Sequence, residues 1–173
     1  MAYFFTDNKE RVKFLIKKIV LWIAVILLSI RIFDFSAATA KESSNVSEKI
    51  TKVVVNVVKQ TKSAENKDPE WEKELFEICH KIVRKSAHFS LYALLAILTY
   101  MLARCYDLKR IFSASISASY CLIFAISDET HQLFVKGRSG QISDVLLDFC
   151  GAMVGIGLCA FIGKWLEQRK KRI

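Results

Sequence analysis

Four long apolar stretches constrain this chain more than any other feature of its sequence. They lie at about residues 14–33, 86–104, 111–127 and 145–163, and each is close to the roughly 20 residues that a helix needs to cross a bilayer. Hydrophobic residues make up 53% of the 173 residues, and there is a single proline, which argues against an ordinary soluble domain. We therefore predict an all-α integral membrane protein with about four transmembrane helices in one domain, residues 1–173.

The first stretch has an alternative interpretation as a cleaved signal peptide. It has a basic start and an apolar core, and Ala38-Thr39-Ala40 is a small-x-small cleavage pattern. Arg31 and Asp34 fit that pattern poorly. Cleavage would leave three spans and would not change the rest of the topology.

Short basic flanks predict the orientation of the spans. Lysine and arginine close to span ends are retained in the cytoplasm, and here they precede span one, separate spans two and three, and follow span four: Lys9, Arg11, Lys13, Lys17, Lys18, Arg104, Lys109, Arg110, Lys164, Arg169, Lys170, Lys171 and Arg172. We expect a multi-pass protein of the cell (cytoplasmic) membrane with both termini in the cytoplasm. The net charge of +9 then reflects topology and attraction to anionic lipid heads, and no nucleic-acid partner is predicted.

The segment between the first two spans, about residues 41–85, is predicted to form amphipathic helices outside the membrane. Apolar residues recur at helical spacing in it, and Asp68-Pro69-Glu70 is a helix start signal. Such helices lie on the membrane surface or cap the bundle. A lid over a binding site is the alternative.

Polar side chains concentrate at one predicted depth, at the outer ends of spans two, three and four. Charged groups inside a bilayer are costly and usually face a bundle interior or a wet cavity. Spacing places some of them on shared helix faces, because His88 and Tyr92 are four residues apart and Asp144, Asp148, Gly151 and Gly155 follow one stripe. The two glycines form a G-x-x-x-G pattern, which permits close helix contact.

These blocks resemble the VanZ-like family of bacterial membrane proteins, which is named for a member associated with low-level teicoplanin resistance. The resemblance covers most of the chain and rests on Phe35-Ser36 with Ser43-Ser44 and Ser47, on Arg84-Lys85-x-x-His88-Phe89-x-x-Tyr92, and on Asp128-Glu129-x-x-Gln132-x-Phe134-x-x-Gly137-Arg138-x-Gly140-x-x-x-Asp144-Val145 followed by Gly151. Asp148 departs from the family pattern, which more often has asparagine there. The resemblance implies a retained first span and brings no established reaction.

We expect the polar groups to line an outward-facing cavity that binds or processes a lipid or lipid-like head group. A membrane lipid, a lipoglycopeptide such as teicoplanin, or a lipid-linked cell-wall precursor are the candidate partners. The candidates for acid–base chemistry are His88, Asp128, Glu129 and Asp144, and those for substrate binding are Lys85, Tyr92, Gln132, Arg138 and Asp148.

Three further interpretations stay open from the sequence. The protein is a membrane enzyme acting on a phospholipid or cell-wall lipid, it provides an ion or small-solute pathway, or the polar residues only hold the bundle together. No cofactor or metal identity is fixed, because the chain has no H-E-x-x-H motif and no cysteine cluster. The oligomeric state is likewise left open.

Overall fold

The computed structural model describes residues 8–37, 50–57, 69–135, 140–170 and 172. They form five helices: α1 (Asn8–Ala37), α2 (residues 50–57), α3 (Pro69–Arg104), α4 (Arg110–Gln132) and α5 (Ile142–Lys170). The part of the chain that the structure describes contains no strand. The predicted all-α fold class is confirmed.

Four of the helices, α1, α3, α4 and α5, are long and apolar enough to cross a membrane. At 36 residues, α3 is about 54 Å long, well above the ~30 Å of a hydrocarbon core. Its first turns therefore project beyond the bundle. There they share a groove with α2, lined by Lys52, Val55 and Phe76 among others, so the described part of the predicted outer segment is helical.

The four long helices alternate in direction. α1 and α4 end, and α5 begins, at one end of the bundle, which we call the acidic end because Glu129, Asp144 and Asp148 lie there. The opposite end, the basic end, carries the flanking lysines and arginines. There the Trp22 indole donates a hydrogen bond of 3.1 Å to the Tyr106 hydroxyl. Arg110 forms an ion pair with Glu167, which ties α4 to α5.

The most extensive helix contact joins α3 to α5, and two glycines make it possible. A Cβ added at Gly151 would lie 2.3 Å from the Phe89 carbonyl oxygen, and one added at Gly155 would lie 2.2 Å from that of Ala93. Real Cβ atoms do not approach oxygen so closely, so only glycine permits this spacing of the two backbones. The G-x-x-x-G pattern in α5 is thus a helix-contact motif.

α4 presents a narrow buried stripe to its neighbours, made of small and polar residues: Ser113, Ser117, Cys121, Ala125, Asp128, Glu129 and Gln132. In the middle of the bundle, the hydroxyls of Ser117 and Thr99 are hydrogen-bonded at 2.7 Å, and Ser117 also donates to the Ala96 carbonyl. These bonds satisfy hydroxyls that have no access to water. The same stripe places Asp128 and Glu129 between α3 and α5 at the acidic end.

Candidate functional site

The centre of the site is formed by α3, which places His88 and Tyr92 one helical turn apart on its buried face. His88 is 7% exposed and Tyr92 is fully buried. Neither the His88 Nε2 atom nor the Tyr92 hydroxyl has a hydrogen-bond partner among the described residues. Buried polar atoms without partners are rare in folded proteins, so these two mark a place where a ligand, an ion or water is expected.

Two carboxylates complete this centre, one from α4 and one from α5. Asp128 is 1% exposed and Asp148 is 4% exposed. The His88 Nδ1 atom lies 3.8 Å from the Asp148 Oδ2 atom, and one ligand atom from each of His88, Asp128 and Asp148 lies within 4.8 Å of the other two. We call these three residues the buried triad. The Oδ1 atoms of both aspartates have no hydrogen-bond partner in the described part of the chain.

Glu129 follows Asp128 but has a different set of contacts. Its Oε1 atom accepts a hydrogen bond of 2.6 Å from the Gln141 backbone N–H, and its Oε2 atom accepts one of 3.0 Å from the Gln132 side chain. Gly140 passes close to the same turn, since a Cβ there would lie 2.6 Å from the Leu133 Cδ2 atom and 3.1 Å from the Glu129 carbonyl oxygen. Glu129 therefore fixes the start of α5 against the end of α4.

Two cationic side chains of α3 lie at the edge of the site, which we call the rim. Lys85 forms an ion pair of 2.5 Å with Asp144, and the Lys85 side chain is 46% exposed. Arg84 donates a long hydrogen bond of 3.5 Å to the Gln132 side-chain oxygen. An ion pair as exposed as Lys85–Asp144 is weak and readily exchanged. The rim can thus offer a positive charge to a ligand that approaches the site from outside.

A small polar cleft lies between α3, α4 and α5. It is lined by Arg84, Lys85, His88, Glu129, Gln132, Asp144, Leu147 and Asp148. Its enclosed volume is about 20 Å³, enough for one water molecule or ion. The end of α1 covers it: the rings of Phe35 and His88 are 5.6 Å apart, and the fully buried Ser36 hydroxyl lies beside the Asp128 carboxyl.

An apolar groove of about 360 Å³ adjoins the cleft on the outside of the bundle, between α4 and α5. Ile126, Leu133, Ile142 and Val145 line it, and Glu129 forms part of its wall as well as of the polar cleft. Its volume falls in the range of about 300–1,000 Å³ typical of small-molecule sites. A polar pocket and an apolar groove are therefore neighbours at the acidic end.

Charge is unevenly distributed in the cleft. Among the described residues, four carboxylates stand in or beside it: Asp128, Glu129, Asp144 and Asp148. Lys85 pairs with one of them and Arg84 contacts an amide. The buried triad thus sets two carboxylates against one imidazole. Burying charge without compensation costs several kcal/mol, so the triad favours a bound cation or shared protons.

The structure brings together eight of the nine residues that the sequence analysis proposed for the site. His88, Tyr92, Asp128 and Asp148 form its buried centre, Glu129 and Gln132 form the wall, and Lys85 and Asp144 form the rim. Arg138 lies outside the described residues, and its contribution stays a prediction. The catalytic or binding role of each residue also stays a prediction.

Three residues of the site, Arg84, Leu147 and Ser36, were not predicted from the sequence. Arg84 and Ser36 stand in the blocks that carry the family resemblance, which is the signal that could have found them. No sequence signal singles out Leu147. His88 lies beside Asp148, which had been assigned to substrate binding, while the acids Glu129 and Asp144 contact Gln141 and Lys85 instead.

Comparison with known proteins agrees with the resemblance of the motifs. No curated protein and no solved structure matches the chain significantly. The sequence model of the family described as VanZ/LLP1 matches residues 20–163, which include most of the first apolar stretch, the other three stretches and every residue of the cleft. With most of its length matched in this way, the chain belongs to the VanZ/LLP1 family of membrane proteins.

Proposed function

We propose that the protein binds an anionic lipid or lipid-like amphiphile at the acidic end of the bundle. The observation that carries the proposal is that Glu129 forms a wall of both the polar cleft and the apolar groove. A molecule with a polar head and an acyl chain would occupy both at once. Neither a free sugar nor a free ion would need the groove.

The head group would lie at the rim of the cleft. The enclosed space of about 20 Å³ is too small for a phosphate with its substituents. Lys85 is half-exposed, and its partner Asp144 can be replaced by a phosphate oxygen, with Arg84 next to it on α3. Cationic side chains are common phosphate ligands, and arginine binds with a forked pair of hydrogen bonds. Arg138 is proposed as a further phosphate ligand.

The chain of the amphiphile would lie in the groove between α4 and α5. Ile142 and Leu133 are largely exposed there, at 82% and 62%, so the groove offers apolar side chains to an acyl chain. Basic flanks collect at the opposite end, so the positive-inside rule supports an acidic end that faces away from the cytoplasm. The site would then take its ligand from the outer leaflet of the cell membrane.

Native mass spectrometry of the protein purified in mild detergent tests this proposal. We expect the wild type to retain an anionic amphiphile and Lys85→Gln to lose it. Lys164→Gln, which removes an exposed lysine at the basic end, is the charge-matched control and should retain it. Loss in both variants, or in neither, would contradict a phosphate site at the rim.

The groove has its own matched pair of variants. Ile142→Trp fills it, whereas Leu146→Trp adds the same ring one turn later on α5, at an exposed residue that does not line the groove. We expect Ile142→Trp alone to reduce retention of the amphiphile. Equal retention by the two variants would argue against an acyl chain in the groove. If the wild type retains no amphiphile, the ion or small-solute pathway that the sequence leaves open becomes the better explanation.

Processing of the bound lipid is a second candidate function, and the His88–Asp148 contact of 3.8 Å favours it. A carboxylate beside one imidazole nitrogen orients the ring and leaves Nε2 available for proton transfer. Turnover separates the two functions. An enzyme converts many lipids per chain and loses this in His88→Gln, while a binding protein retains about one lipid unchanged.

A role in teicoplanin resistance extends the proposal and is supported only by the family resemblance. Teicoplanin carries a fatty chain, so it has the head-and-chain form that the cleft and groove would accept. The test is the teicoplanin susceptibility of cells expressing the wild type, Lys85→Gln or Ile142→Trp. Protection by the wild type alone is the expected result.

A further inference from the structure

We infer that the buried triad, His88, Asp128 and Asp148, is a binding site for one divalent transition-metal ion of the Zn²⁺ or Mn²⁺ type. One imidazole nitrogen and two carboxylate oxygens, one atom from each residue, lie within 4.8 Å of one another. They come from three different helices, α3, α4 and α5. An ion would therefore join the ends of the three helices that form the cleft.

The distances fit a metal site that contracts slightly on binding. Bonds of about 2.0–2.2 Å in tetrahedral geometry place ligand atoms roughly 3.3–3.6 Å apart. The His88 Nδ1 atom and the Asp148 Oδ2 atom are already 3.8 Å apart. The other separations between the ligand atoms are at most 4.8 Å, so these atoms need to approach one another by at most about 1.5 Å to reach metal-ligand spacing.

Unpartnered atoms point to a ligand independently of the spacing. The His88 Nε2 atom and the Oδ1 atoms of both aspartates are buried, and none has a hydrogen-bond partner among the described residues. All three side chains are more than nine-tenths buried. Water could satisfy the hydrogen-bonding capacity, but it would not neutralise two carboxylates in a low-dielectric interior. A divalent cation bound by one oxygen of each aspartate would neutralise both carboxylates.

The choice of metal class follows from the donors. One nitrogen and two oxygen donors suit Zn²⁺ or Mn²⁺, whereas Mg²⁺ and Ca²⁺ prefer oxygen ligands throughout. The cleft that His88 and Asp148 line has a volume of about 20 Å³, which is room for one ion or one water molecule. Three protein ligands leave a coordination position open. On the proposed function, that position would receive a phosphate oxygen of the amphiphile, a step that rests on lipid binding while the metal site itself does not.

The test is a titration of the purified, chelator-treated protein with Mn²⁺ alone, followed by the electron paramagnetic resonance signal of free Mn²⁺. We expect saturation at one ion per chain and competition by Zn²⁺. Asp128→Asn and Asp148→Asn should each weaken binding at least tenfold. Asp34→Asn, which changes an exposed aspartate near the end of α1, should bind like the wild type.

The wild type alone also gives a decisive readout. An ion that binds only the folded state raises the unfolding temperature in proportion to the logarithm of its concentration, so Mn²⁺ should stabilise the chelated protein in detergent. No saturable Mn²⁺ binding by the wild type would overturn the inference, as would equal binding by Asp148→Asn and Asp34→Asn. Lipid is absent from this titration. Metal binding without lipid retention therefore refutes only the proposed function, and lipid retention without metal binding refutes only the metal site.

Discussion

Substituting Gly151 by alanine should push α3 away from α5 and widen the neighbouring site that contains His88 and Asp148. The added Cβ would lie 2.3 Å from the Phe89 carbonyl oxygen, 3.0 Å from its carbon and 3.1 Å from its Cα atom. All three atoms belong to backbone, so no side-chain rotation relieves the clash. An ordinary contact needs about 3.4 Å or more, so the helices must move apart by roughly 1 Å, and overpacking of this kind costs typically 1–3 kcal/mol.

The same displacement reaches the buried triad. Phe89 is the neighbour of His88 in α3, and Gly151 lies one turn after Asp148 in α5. A shift of the two backbones at this contact lengthens the 3.8 Å separation between the imidazole and the carboxylate. We therefore expect Gly151→Ala to lose ligand or metal binding together with stability.

Gly157→Ala is the matched control, because it lies in the same helix and a Cβ there meets no atom within 4 Å. In a helix interior, alanine is favoured over glycine by about 0.5–1 kcal/mol. Thermal unfolding in detergent should therefore show Gly151→Ala below the wild type and Gly157→Ala at or above it. Equal stability of the two variants would refute the packing argument.

Three further variants test individual contacts by the same unfolding measurement. Ser117→Ala removes the 2.7 Å hydrogen bond to Thr99 and should lower the free energy of unfolding by about 0.6 kcal/mol, the average for such bonds in a membrane protein. Ser119→Ala, which changes an exposed serine of the same helix, is its control. An equal effect in both variants would contradict a stabilising role for the Ser117–Thr99 bond. Tyr92→Phe removes a buried hydroxyl that has no partner among the described residues, so stability should hold or rise by about 1 kcal/mol, and a clear loss would point to an unseen partner. Glu129→Gln keeps one oxygen acceptor for the Gln141 N–H but turns an amide donor toward the donor group of the Gln132 side chain. Because an unpaired buried donor costs about 1–3 kcal/mol, we expect the variant to be less stable by that amount. Unchanged stability would mean that Glu129 does not hold the α4–α5 junction.

Much of the fold follows from the sequence because lipid leaves few alternatives. Apolar stretches of membrane length become helices, and alternating direction brings the end of α4 and the beginning of α5 to the part of α3 that contains His88. The common depth of His88, Asp128 and Asp148 was therefore predictable from topology. The glycine contact was also predictable, since Gly151 and Gly155 share one face of α5.

The pairing within the site was not predictable from the sequence. Helical spacing shows which residues share a face, but it does not give the rotation of one helix against another. His88 could equally have faced Glu129 instead of Asp128. A rotation of α4 by one residue, about 100°, exchanges the two side chains. The role of Glu129 at the α4–α5 junction was hidden for another reason. It depends on the backbone N–H of Gln141, and a backbone donor has no signature in residue identity.

The burial of Ser36 has a similar explanation. It depends on how far α1 continues past the predicted span end near residue 33, and the helix extends to Ala37. Polar residues at the end of a span fit a continued helix as well as a loop, so the sequence does not fix the last residue of the helix. The covering of the cleft by the end of α1 is therefore a tertiary feature.

Photo-crosslinking inside native membranes tests the central claim, that the acidic end holds a specific amphiphile, most directly. A photoreactive phenylalanine analogue at Leu147, which lines the cleft, is compared with the same analogue at Leu146, which is exposed and does not line it. We expect the analogue at Leu147 to label one class of anionic amphiphile and the analogue at Leu146 to label the bulk lipids in proportion to their abundance. The same mixture at both positions, or no lipid at Leu147, would contradict the claim and leave the buried polar residues as structural contacts between the helices.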